Sequence, residues 1–162
     1  MTLLASAPGW LAAVLFLLLL IAAVEDGWRM QISDWTSGAV AAGAFLAVAV
    51  DGPAIDLWEN FLLLALVLAA GTFMFGRGWM GGGDIKLLAA SALWFDLSSG
   101  WRLLIAIAIA GGIETVILLI LRRLPWPERM RDRVLLLRRG GAIPYGIAIA
   151  LGVALMAYWL RR

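Results

Sequence analysis

Six long apolar stretches alternate with short polar ones along the chain. They run near Pro8–Val24, Thr36–Val50, Leu57–Phe75, Ile85–Leu97, Trp101–Leu121 and Ala142–Leu160. A helix that crosses a bilayer needs about 20 predominantly apolar residues. In lipid its backbone must satisfy its own hydrogen bonds. The pattern therefore predicts an all-α integral membrane protein with about six transmembrane helices. The second and fourth stretches are short. Their 15 and 13 residues reach only about 20–23 Å, against a hydrocarbon core of about 30 Å. Either their ends lie below the membrane surface or the bilayer thins locally, and a water-accessible notch there would suit hydrolysis. The first stretch lacks a basic leader and is long for the apolar core of a signal peptide, so it is read as a retained helix.

Composition sharpens this picture. Of 162 residues, 64% are hydrophobic and 15% charged, which leaves one polytopic membrane domain over residues 1–162 and nothing for a soluble one. The chain has no cysteine and no histidine. Disulfides, thiol chemistry, Cys/His zinc sites and histidine-based catalytic triads are therefore excluded. The catalytic groups that remain are Asp, Glu, Lys, Tyr, Ser and Thr, and no metal or other cofactor is expected.

The charges predict an orientation. Arg29 lies in the first connection, and Arg77 and Lys86 flank the third. Arg122, Arg123, Arg129, Arg131, Arg133, Arg138 and Arg139 crowd the fifth. By the positive-inside rule these connections share the cytoplasmic side. The second connection carries Asp51, Asp56 and Glu59 and no basic residue, so it and the N-terminus fall outside. Arg102, Arg161 and Arg162 run against this order. The fifth connection reads as a positive-inside loop or as an interfacial segment on anionic lipid. With the basic residues at the membrane, no nucleic-acid partner is expected. The nine tryptophans mostly fall near span ends, as interfacial anchors do.

Two carboxylates stand out on the cytoplasmic side. Asp84 follows Gly81-Gly82-Gly83 and opens the fourth stretch, in Gly-Gly-Gly-Asp-Ile-Lys-Leu-Leu-Ala-Ala. An ionisable group at membrane depth costs roughly 2.5–3.5 kcal/mol at the bilayer centre on insertion scales, and marks a functional candidate. The glycines permit close backbone approach, and the helix start favours negative charge. A simple N-cap after a flexible loop explains the same residue. Asp26 ends the first stretch, with Glu25 and Asp34 as rival carboxylates nearby. Ser33 and Asp34 read as N-cap residues of the second helix. Two carboxylates that share one proton are the machinery of aspartic hydrolysis: the ionised one takes a proton from water, and the protonated one donates to the scissile carbonyl.

These residues carry a resemblance. Gly81-Gly82-Gly83-Asp84-Ile85-Lys86-Leu87 resembles the Gly-x-Gly-Asp-(Val/Ile)-Lys-Leu motif of type IV prepilin peptidases. Asp26, Ile32, Ser33 and Asp34 fall on the family's Asp-x-x-x-x-x-Ile-Pro-Asn motif, with Ser33 in place of proline and Asp34 in place of asparagine. Arg29 stands three residues after Asp26, where the family's arginine stands two after. Ile143-Pro144-Tyr145-Gly146 is similar to the start of the family's last helix. The resemblance implies catalytic roles for Asp26 and Asp84. It implies substrate or loop roles for Gly81, Gly82, Gly83, Lys86 and Arg29. The implied protein is a membrane aspartic endopeptidase of the bacterial cytoplasmic (inner) membrane. Its implied partners are the lipid bilayer and a prepilin or pseudopilin substrate, whose leader it cleaves at the cytoplasmic face. The short length and missing cysteines match the small members serving Flp/Tad pili, so N-methylation is not expected.

Other residues leave choices open. Glu114, within the fifth stretch, either tunes the Asp pair or sits protonated against a neighbouring helix. Gly111 and Gly112 beside it read as a close helix contact. Lys86 either favours ionisation of the pair or snorkels to headgroups. The rival functions are a presenilin-like intramembrane protease, a small proton- or ion-coupled transporter, and a non-catalytic pilus assembly subunit.

Overall fold

The computed structural model describes residues 2–52, 57–127, 129–130, 134–138 and 141–160. Asp56, Arg131, Arg133, Arg139, Arg161 and Arg162, which entered the orientation reading, lie outside the described residues. Among the described residues the regular structure is entirely helical. A short α1 (Leu3–Ser6) precedes α2 (Gly9–Arg29), α3 (Asp34–Asp51), α4 (Leu57–Gly76), α5 (Gly82–Ala92) and α6 (Leu97–Arg123). A 3₁₀ turn at Leu135–Leu137 follows, then α7 (Tyr145–Leu160). Each of the six apolar stretches thus becomes one helix. Three of these, α2, α4 and α6, are long and apolar enough to cross a membrane, and α3 and α7 are shorter apolar helices.

The short α5 shapes the bundle. Its 11 residues rise only about 16 Å. The polar groups freed where α5 stops are satisfied from the side, as lipid requires. Asn60 Nδ2 donates to Leu93 O at 3.0 Å, and the Leu4 amide donates to Trp94 O at 3.3 Å. The Trp94 indole donates to Val40 O at 3.0 Å. Trp94 is therefore a core residue, 1% exposed, and departs from the anchor reading. Trp10, Trp28, Trp35, Trp58, Trp79, Trp101 and Trp159 are exposed, in keeping with it.

α5 packs against α3, α4 and α7, while α7 also packs against α2 and α6. These two short helices form the inside of the bundle. Small residues set their approach to the neighbours. A Cβ on Gly71 would lie 2.5 Å from Ile85, one on Gly100 2.2 Å from Leu63, and one on Gly152 2.3 Å from Ile107. Gly111 rests on Ala148, whereas Gly112 has nothing near it. The close helix contact expected of that pair therefore involves Gly111 alone, and the tightest crossings lie at glycines the periodicity did not single out.

Candidate active site

The last turn of α2 carries two adjacent carboxylates that the fold separates. Helix periodicity puts neighbours about 100° apart, so one faces the bundle and the other does not. Asp26 is 3% exposed. Its Oδ2 accepts the Gly146 amide at 2.7 Å, at the start of α7. Glu25 instead ties the α2–α3 connection. Its Oε2 accepts the Ser33 amide at 3.1 Å and the Thr36 hydroxyl at 3.0 Å. Ser33 is the N-cap of α3, its Oγ accepting from the Thr36 amide at 3.2 Å. Met30 ends α2 in the left-handed conformation, φ 54°, so the chain reverses at once. Glu25 is thus a structural latch, and only Asp26 is aimed inward.

Asp84 reaches the same place from α5. The helix starts earlier than the sequence indicates. Gly81 is the N-cap, Gly82 and Gly83 lie in the first turn, and Asp84 is the third helical residue. Its Oδ2 accepts the Gly81 amide at 3.3 Å. Gly83 is needed for room: a Cβ there would meet Ile32 O at 3.1 Å and Ile32 Cβ at 3.3 Å. That contact brings the first turn of α5 against the connection after Asp26. Gly146 is constrained in the same way, since a Cβ there would sit 2.9 Å from Asp26 Oδ2.

The two carboxyls open on a shared cavity of about 400 Å³, lined also by Trp79, Met80, Ala142, Ile143 and Tyr145. A smaller hollow of about 240 Å³ on the α2–α3 connection is lined by both as well, with Gln31 and Ile32. Asp84 lies before the apolar part of α5, outside the spanning segments. Burial pushes its carboxyl up to about 7, the Asp26 charge adds to this, and the Gly81 amide opposes it. The two carboxyls thus line one cavity, and the charge of Asp26 favours the protonated form of Asp84. Among the described residues no group of three or more Asp or Glu fit to hold a metal ion is present.

The other site candidates fall elsewhere. Lys86 pairs with Asp34, Nζ to Oδ1 at 2.7 Å, both side chains exposed. It neither pairs with Asp84 nor lines the cavity, and this one ion pair takes up both the lysine and a rival carboxylate. Arg29 is exposed beside Glu25 and lines neither of the cavities that Asp26 and Asp84 share. Glu114 is buried and approaches the Ala148 amide in the first turn of α7, without a well-formed hydrogen bond to either oxygen. Its position next to the same helix start that receives Asp26 makes it a neighbour of the pair. The sequence marks Ile143-Pro144-Tyr145-Gly146 and the charge of Arg122 but not that Arg122 holds the cavity wall at Gly141 and Ala142. The pre-proline position of Ile143 was the available signal.

A bundle of apolar helices thus brings two carboxyls to the wall of one shared cavity. The sequence model of the type IV leader peptidase family matches residues 13–121, and the chain belongs to that family. The match includes Asp26 and Asp84 and ends before the 3₁₀ turn and α7. Searches of curated proteins and of solved structures returned no match. Family membership makes the chain a peptidase, and its apolar helices make it a membrane protein.

Proposed function

We propose that this peptidase is of the aspartic type and removes the leader of type IV prepilins or pseudopilins, of the Flp/Tad kind, at the cytoplasmic face of the bacterial inner membrane. The observation that carries the reading is the convergence of Asp26 and Asp84 on one cavity, with the charge of one raising the proton affinity of the other. Asp26, which receives the Gly146 amide, suits the ionised role; Asp84 suits the protonated one. Water enters between them. Asp26 takes its proton as the hydroxyl oxygen bonds to the scissile carbonyl carbon, and Asp84 donates its proton to the carbonyl oxygen. The tetrahedral intermediate then collapses. The C–N bond breaks, the leaving nitrogen takes the proton from Asp26, and the hydroxyl proton returns to Asp84. No covalent enzyme intermediate and no cofactor take part. The Flp/Tad assignment rests on the absence of cysteine.

Cleavage of a Flp-type prepilin by purified protein in liposomes tests the reading. Wild type, Asp26→Asn and Asp84→Asn are compared, with helicity and elution checked for each. Cleavage by wild type alone is the expected result. Cleavage that survives either change in a folded protein removes that residue from the mechanism.

A further inference from the structure

Among the described residues Arg122 is the only Lys or Arg that is buried. It ends α6, at the head of a basic connection, where its neighbours in sequence read as solvated charge. Its side chain instead gathers three backbone carbonyls. Nε donates to Leu136 O at 2.8 Å, Nη1 to Gly141 O at 2.8 Å and Nη2 to Ala142 O at 2.7 Å. A planar guanidinium with fixed donor directions suits this task, and a lysine does not. Charge-assisted bonds of this kind hold geometry firmly.

The segment so held is the wall of the Asp26–Asp84 cavity. Gly141, Ala142 and Ile143 all line it, and residues 141–144 form neither helix nor turn. Ile143 precedes Pro144, whose ring disfavours helical backbone at the preceding residue and holds it extended. The Gly141 and Ala142 carbonyls are both taken by Arg122, so the next backbone N–H and C=O along this cavity wall are those of Ile143. Among the described residues neither has a hydrogen-bond partner. A backbone donor and acceptor left open at the wall of a cleft is a site for another backbone.

We propose that Ile143, held extended by Arg122 and Pro144, is the edge on which the substrate's peptide backbone docks beside the scissile bond. The inference rests on the peptidase reading given above. Ile143 exchanges an N–H···O=C pair with one substrate residue, as in an antiparallel strand pair. The ligand class is an extended peptide main chain, bound without regard to its side chains. Arg122 is a positioning residue and touches no reacting atom.

The test is an ester walk. A Flp-type prepilin is made with single backbone amides near the cleaved bond replaced by esters, which lack the N–H and have a weaker acceptor. Full-length wild type is expected to show KM raised about five-fold by an ester at one position, with kcat changed less than about two-fold, as loss of one uniformly used hydrogen bond requires. Arg122→Lys and Arg122→Gln are expected to raise KM for the all-amide substrate and to remove the further effect of that ester. A flat ester series in wild type overturns the inference. So do Arg122 variants that lower kcat with KM unchanged. If the Arg122 variants do not fold, the ester series on wild type decides alone. Loss of the peptidase reading looks different: no cleavage by wild type, or cleavage that survives Asp26→Asn and Asp84→Asn.

Discussion

The Gly146 amide donates to Asp26 Oδ2 at 2.7 Å, joining residues 120 positions apart in the chain. This bond ties the end of α2 to the start of α7 and orients one carboxyl of the pair. The first turn of a helix has amides without internal partners, and a carboxylate there meets both a donor and the positive end of the helix dipole. Asp26 uses that position from outside the helix while also lining the cavity.

Gly146→Ala tests the contact. An added Cβ would lie 2.9 Å from Asp26 Oδ2 and 3.0 Å from Asp26 Cβ, so the carboxyl must move. Alanine is the better helix former, so any loss comes from crowding. Overpacking of this kind costs about 1–3 kcal/mol. The expected outcome is a folded protein with cleavage reduced at least about ten-fold, since small displacements of a reacting group carry costs of that order. Thermal unfolding and cleavage rates measured together check it.

The dependence of activity on pH follows from Asp84. Its carboxyl is pushed up to about 7, by burial first and then by the Asp26 charge. A raised value means that the proton is held below about pH 7 and lost above it. The protonated form of Asp84 in the free enzyme is therefore depleted as pH rises through about 7, and kcat/KM is expected to fall on that alkaline limb. The same sign applies to folding: the contribution of the protonated group is present at low pH and lost as pH rises through the folded value. A rate profile in liposomes from pH 5 to 9 is the measurement. A flat profile across neutrality would mean that Asp84 does not work as the acid.

Glu25 and Asp26 are neighbours with different duties, so their variants should separate. Glu25→Ala removes the acceptor of the Ser33 amide and the Thr36 hydroxyl. Loss of two hydrogen bonds costs about 1–3 kcal/mol of stability. Cleavage is expected to persist at reduced rate, whereas Asp26→Asn abolishes it with little change in unfolding. Equal loss of cleavage in both variants, with the Glu25 variant folded, would argue against the separation.

Lys86 is expected to matter little. Its pair with Asp34 is exposed on both sides, 53% and 75%, and exposed pairs contribute about 0–1 kcal/mol. Lys86→Met should leave unfolding and KM close to wild type, and the residual effect should fade at high salt. A large loss of kcat in that variant would instead assign Lys86 to the reacting atoms.

Much of this architecture is legible in the chain itself. Apolar runs long enough for lipid and separated by polar breaks leave a helix as the one economical outcome, and each of the six runs is one. The glycine run before Asp84 and the end of the first apolar run at Asp26 likewise mark carboxylates at the ends of apolar stretches. Local sequence determined these features because they depend on residues a few positions apart.

What the sequence could not decide was which groups face one another. Glu25, Asp26 and Asp34 lie within ten residues, and local pattern alone leaves all three as partners for Asp84. The left-handed turn at Met30, the N-cap at Ser33 and the contact of Gly83 with Ile32 aim Asp26 inward. They leave Glu25 to the loop and Asp34 to Lys86. Arg122 reads as one more charge in a basic connection. Only the approach of Leu136, Gly141 and Ala142 to the end of α6 supplies the three carbonyls that take it out of solvent. Helix identity is a local property, written in periodicity and hydropathy. The pairing of a carboxyl with a distant amide, or of a guanidinium with a returning strand of backbone, depends on how helices of unequal length pack, and that is settled only in the folded chain.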